Sequence, residues 1–146
     1  MNQVANFFYS SSKTEEDSFK TQIYKDQAMR SKLKNKTVDI ETYLTTLGIV
    51  LTLYLDNINQ VSRISQLTQK TNQFNLTTKR YTESDIKSFI LSDDKIVVSI
   101  GVSDKYGSSG LAGLAILCKT TSKIDTMLLS CRVLGRNVEF KLIDAI

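Results

Sequence analysis

Leu111 to Cys118 is a run of eight residues without one polar side chain, and it constrains the fold more than any other stretch of the chain. It falls far short of the roughly 20 residues needed to span a bilayer. The run reads instead as a β-strand apolar on both faces, which must lie inside a core. Just before it, Ile96, Val98, Ile100 and Val102 alternate with small residues up to Asp104. Gly107 to Gly110 read as the turn between the two, so the pair is expected to form a hairpin. A third strand, Lys123 to Cys131, follows.

The flanking segments change rhythm. Thr14-Glu15-Glu16-Asp17 has the pattern of a capping box and opens a charged helix to about Leu33. Asp39 caps a second helix, in which Ile40, Tyr43, Leu44 and Leu47 share a face and Gly48 supplies the stop. Ile49, Leu51, Leu53 and Leu55 alternate as a strand. Val61, Ile64, Leu67, Thr71 and Phe74 predict one helix from about Asn57 to Asn75, and Thr82 with Asp85 caps another to Leu91. After Cys131 the chain passes through Arg132-Val133-Leu134-Gly135-Arg136-Asn137 into a helix with Val138, Leu142 and Ile146 on one stripe.

Composition narrows the chemistry. At 146 residues, 41% apolar and 23% charged, the chain suits one core. It contains no His, which excludes catalytic triads, imidazole base catalysis and most zinc chemistry; no metal site is expected. Cys118 and Cys131 both fall in apolar runs and are expected as buried, reduced packing thiols. With no basic-then-apolar leader pattern and no membrane-spanning stretch, the expected location is the cytoplasm. The net charge of +4 is dispersed among acids over the first 90 positions. That distribution argues against nucleic acid and suits an acidic protein partner.

Strand, helix, helix, three strands and a turn into a helix is the opening order of the GNAT N-acetyltransferase fold. The expected architecture is therefore α+β, a three-layer α/β/α arrangement around a mixed, mainly antiparallel sheet. In that fold the loop after the fourth strand holds the pyrophosphate of coenzyme A on backbone amides. Arg132-x-x-Gly135-x-Asn137 stands in that place here, departing from the usual pattern at its last residue. Further runs carry a narrower resemblance: Arg63 to Tyr81 with Gln66-Leu67-Thr68-Gln69-Lys70-Thr71-Asn72-Gln73-Phe74-Asn75 at its centre, Asp104-Lys105-Tyr106-Gly107 with Gly110-Leu111-Ala112-Gly113, and Ser130-Cys131-Arg132-Val133-Leu134-Gly135-Arg136. In this order they resemble the C-terminal acyltransferase-like region of the FkbH-like family. Tyr24, Gln27 and Arg30 match more loosely.

The resemblance implies residues 1–48 as a helical segment following a haloacid-dehalogenase-type phosphatase domain, and residues 49–146 as a partial GNAT-like domain. It implies glyceryl or acyl transfer in methoxymalonyl-type extender-unit biosynthesis, with an acyl carrier protein and the phosphatase-type domain as partners. Phosphopantetheine, on the carrier or in coenzyme A, is the implied cofactor. The phosphatase's Asp-x-Asp motif does not occur in this sequence, so phosphatase activity is not expected. Without a catalytic component the same chain would be a scaffold that only recruits the carrier.

Arg132, Val133, Leu134, Gly135, Arg136 and Asn137 are the expected cofactor-binding residues. Lys70, Asn72, Gln73 and Asn75 either bind the pantetheine amides or the acyl group, or else terminate their helix. Asp104 is a candidate base at a strand end, with turn capping as the alternative. Cys131 is a candidate acyl acceptor, with packing as the alternative. Because the GNAT fold continues with a further strand, Met127 to Cys131 should form an open, uncharged edge. A homodimer through that edge or through the C-terminal helix is the expectation.

Overall fold

The computed structural model describes residues 15–146, so the cap expected at Thr14 lies outside the described residues. The chain forms helices α1 (Glu15–Lys36) and α2 (Ile40–Leu47), strand β1 (Val50–Leu55), helix α3 (Val61–Lys70), strand β2 (Phe74–Asn75) and helix α4 (Glu83–Ile90). Strands β3 (Lys95–Asp104), β4 (Gly107–Cys118) and β5 (Lys123–Leu129) and helix α5 (Val138–Asp144) complete it. The five strands make one open sheet in the order β1-β3-β4-β5-β2, and each pairing is antiparallel. The protein is thus α+β.

The central strand is the one the sequence marks out. Leu114 and Ile116 project to the face covered by α3 and α4, where they meet Ile64, Leu67, Ile86 and Leu128. Ala112 and Ala115 belong to the opposite face, packed with Ile100, Met127, Val133, Val138 and Leu142 beneath the chain that follows β5. Two apolar layers therefore flank β4. Burying each such Leu or Ile is worth about 1.5–3 kcal/mol.

Local capping signals are realised as written. Asp39 accepts from the Thr42 amide, and Gly48 closes α2 in the left-handed region at φ 61°. Thr82 and Asp85 form a reciprocal capping box at α4.

Other expectations give way to tertiary contacts. The single helix expected to Asn75 ends at Lys70. The Arg80 guanidinium takes the Thr68 and Gln69 carbonyls and the Asn72 side chain, while Phe74 and Asn75 pair with Leu129 and Leu128. The β3–β4 turn is Lys105-Tyr106, not Gly107 to Gly110, because the Asp104 carboxylate accepts the Tyr106 amide at 3.0 Å and closes the turn early. The register then skips Ser109 and Ala112, which bulge out of the β4 ladder. β5 stops at Leu129; the Ser130 amide bonds to Ala112, and Cys131–Val133 coil into a 3-10 turn. The open edge expected at Met127 to Cys131 is covered from within the chain as far as Leu129, since β2 pairs there and the Leu76 amide bonds to the Met127 carbonyl. No helix among the described residues is long and apolar enough to cross a membrane.

Candidate functional site

Helix α1 has no apolar face to bury, and it is docked by charge. Arg30, 2% exposed, donates from Nε and Nη2 to both Asp104 oxygens at 2.7 and 2.9 Å, and from Nη2 to the Gly107 carbonyl at 3.2 Å. Arg136, 4% exposed, reaches the same carboxylate at 3.2 Å and also donates to Ser109, to Gln27 and to the Arg132 carbonyl. Burial works to raise the Asp104 pKa, but the Arg30 hydrogen bonds, the Tyr106 amide and the two guanidinium charges outweigh it, leaving the carboxyl below its ordinary range. Buried Asp26 lies against the hairpin where a Cβ at Gly107 would come within 2.3 Å of its Oδ2. Only glycine fits there.

This anchoring places the first half of α1 beside α3 and the loop after β5. Between them runs a groove of about 500 Å³ lined by Tyr24, Arg63, Lys70, Gln73, Cys131 and Arg132, among others. It continues past Lys20 and Ile23 towards Gly110 and Leu111. Among the described residues, none that lines these connected cavities is an acid. Arg132 donates to the Ser130 hydroxyl at 3.1 Å. Burial lowers its pKa, and the neighbouring charge of Arg63 lowers it further.

The expected site residues divide between this groove and the surrounding frame. Lys70, Asn72, Gln73, Cys131 and Arg132 line the groove. Asn72 also accepts from Arg80, and Asn75, outside the lining, donates to the Thr71 carbonyl and accepts from the Thr78 amide. Those bonds finish α3 and shape the loop after it. Val133 is fully buried and Leu134 packs against the same core. Gly135 and Asn137, at φ 76° and 56°, are exposed beyond the groove, and Arg136 is spent on Asp104. Asp104 is the anion of the ion cluster and the cap of the hairpin turn, with both oxygens occupied, so it is not placed to take a proton from a ligand in the groove. Cys131 corrects the packing expectation: it is exposed, because the strand ends two residues before it, and Cys118 is only half-buried.

Sequence reasoning passed over Tyr24, Arg63 and Ser130 as groove residues. Arg63 opens the run to Tyr81 singled out in the sequence, but its partner across the groove lies 69 positions on, in the loop after β5. Among the described residues no three Cys, Asp or Glu side chains are gathered so as to hold a metal ion. No family model, curated protein or solved structure matches this chain.

Proposed function

We propose that this chain is an acyltransferase-like module that binds a phosphopantetheine arm, carried by an acyl carrier protein or coenzyme A, in the manner of the FkbH-like C-terminal region. The observation that carries the reading is the groove, which gathers Lys70, Asn72 and Gln73 from the end of α3 with Cys131 and Arg132 from the loop after β5. Amide and cationic side chains in one cleft suit the amides and phosphate of such an arm. The order of β1, two helices with the two-residue β2 between them, three antiparallel strands and a final helix is compatible with a GNAT-like framework. The module would act by positioning an acyl thioester for transfer. In a glyceryl-loading pathway the phosphate chemistry would belong to a phosphatase-type partner domain.

A second reading, a non-catalytic carrier-binding scaffold, is favoured by the engagement of Asp104, the candidate base, whose two oxygens are taken by Arg30. Self-association through α5, where Phe140 and Ile143 are exposed, is compatible with either reading. Calorimetric titration with coenzyme A and with holo carrier protein separates the two. Binding to both supports the transferase, binding to the carrier alone supports the scaffold, and binding to neither removes both.

A further inference from the structure

Two guanidinium groups from different parts of the fold face one groove, and no described residue lining it is an anion they could share. Arg63 stands in the first turn of α3 and donates at 3.2 Å to its neighbour Gln66. Arg132 stands in the 3-10 turn after β5, held by the Ser130 hydroxyl. Both line the main cavity and its continuation under α1. Among the described residues neither forms a salt bridge, whereas Arg30 and Arg136 do. Like charges lining one cavity repel, and burial of Arg132, which removes water from its guanidinium, strengthens the repulsion from Arg63. Arginine does not escape by losing its proton, so the arrangement is relieved by an oxyanion that both forks can reach.

We propose that Arg63 and Arg132 together form a phosphate clamp, and that the phosphate of the pantetheine arm sits between α3 and the turn after β5. The identity of the ligand rests on the arm-binding reading; the existence of an oxyanion site does not. Three features favour this position over the Gly135 to Asn137 bend. Asn137 caps α5 with no side-chain bond, Gly135 and Asn137 are exposed, and the one guanidinium of the bend, buried Arg136, is already committed to Asp104. Within the groove the arm would run from the clamp past Cys131 towards Asn72 and Gln73, whose side chains offer both donors and acceptors to its amides. A groove of about 500 Å³ falls in the range of small-molecule sites.

The test is titration of the full chain with 4′-phosphopantetheine, pantetheine and inorganic phosphate. Wild type is compared with Arg63→Gln, Arg132→Gln and the remote control Lys141→Gln. Among the described residues Arg63 bonds only within its own helix, so its replacement is expected to leave the fold intact, which circular dichroism checks. The clamp predicts that phosphopantetheine binds more tightly than pantetheine. It also predicts that Arg63→Gln weakens phosphopantetheine about tenfold or more while leaving pantetheine unchanged, since hydrogen bonds to a charged group are worth about 1.5–3 kcal/mol. The control should match wild type. Unchanged phosphopantetheine affinity in Arg63→Gln overturns the clamp and leaves the arm-binding reading standing, as does equal affinity of wild type for the two arms. Binding of inorganic phosphate that both Arg variants abolish, with no binding of either arm, upholds the oxyanion site and removes the arm. Binding of none of the three removes both.

Discussion

Arg30 and Asp104, 74 positions apart in the sequence, meet in a two-point ion pair with distances of 2.7 and 2.9 Å, and neither side chain is more than 3% exposed. The pair joins a helix with little apolar surface to the tip of the central hairpin. Arg136 adds a third member, sharing with Arg30 Nε the Oδ2 of the same carboxylate at 3.2 Å. The groove depends on this cluster, because the cluster fixes α1 and α1 supplies the wall that carries Tyr24.

Removing the shared anion should therefore cost more than removing either cation. Asp104→Asn leaves two buried guanidinium groups facing each other, and breaking a buried pair in this way costs about 3–5 kcal/mol. Arg30→Met leaves Asp104 its Arg136 partner and should cost less. Urea denaturation followed by circular dichroism gives both values. A smaller loss for Asp104→Asn than for Arg30→Met would show that the cluster does not hold α1.

The same carboxylate sets an acid limit. Its folded pKa lies below the ordinary 3.8, so the folded state binds its proton less readily than the unfolded chain. Its contribution is complete above the ordinary value and is lost as pH falls through the lowered one. Asp94, held at about 2 by hydrogen bonds from Thr120, acts in the same direction. Stability measured at fixed urea should be flat from neutral pH down to about pH 4 and should fall below that. Carbon-detected titration should place Asp94 near 2. A midpoint near 3.8 for either group would contradict the geometry assigned to it.

Local signals in the sequence were readable because their partners lie within a turn or two. Asp39 with Thr42, Gly48 in the left-handed region and Thr82 with Asp85 need no knowledge of the rest of the fold. The apolar run of β4 was readable because a strand buried on both faces leaves few alternatives. Non-local pairings were not readable. Phe74 and Asn75 leave a helical pattern to meet β5, Asp104 closes the hairpin earlier than its glycines suggest, and Arg63 and Arg132 converge through α3 and β5. Cys131 misled because its apolar neighbours Leu128 and Leu129 are core residues, whereas the strand ends before reaching it.

Gly113 should tolerate little. A Cβ there would stand 2.8 Å from Leu129 Cδ2 and 3.4 Å from Ile100 Cδ1, and both of those side chains are fully buried. Gly113→Val should destabilise by about 1–3 kcal/mol through overpacking. The paired change Gly113→Val with Leu129→Ala should cost less than the sum of the two alone, because the second removes the atoms that the first would strike. Strict additivity in chemical denaturation would argue against that contact.

The two thiols should differ in reactivity for reasons of access. Cys118 is half-buried at the end of β4, and its thiol donates to the Asp94 carboxylate at 3.2 Å. Cys131 is exposed at the start of the 3-10 turn and lines the groove beside Arg132. Under native conditions iodoacetamide should therefore modify Cys131 first, and in denaturant the two rates should converge. Peptide mass spectrometry over a time course distinguishes the sites. Occupation of the groove supplies the sharper comparison, since a pantetheine arm lying past Cys131 would slow its alkylation while leaving Cys118 unaffected. If Cys118 reacted first in the native protein, the strand end at Leu129 and the exposure that follows from it would be wrong.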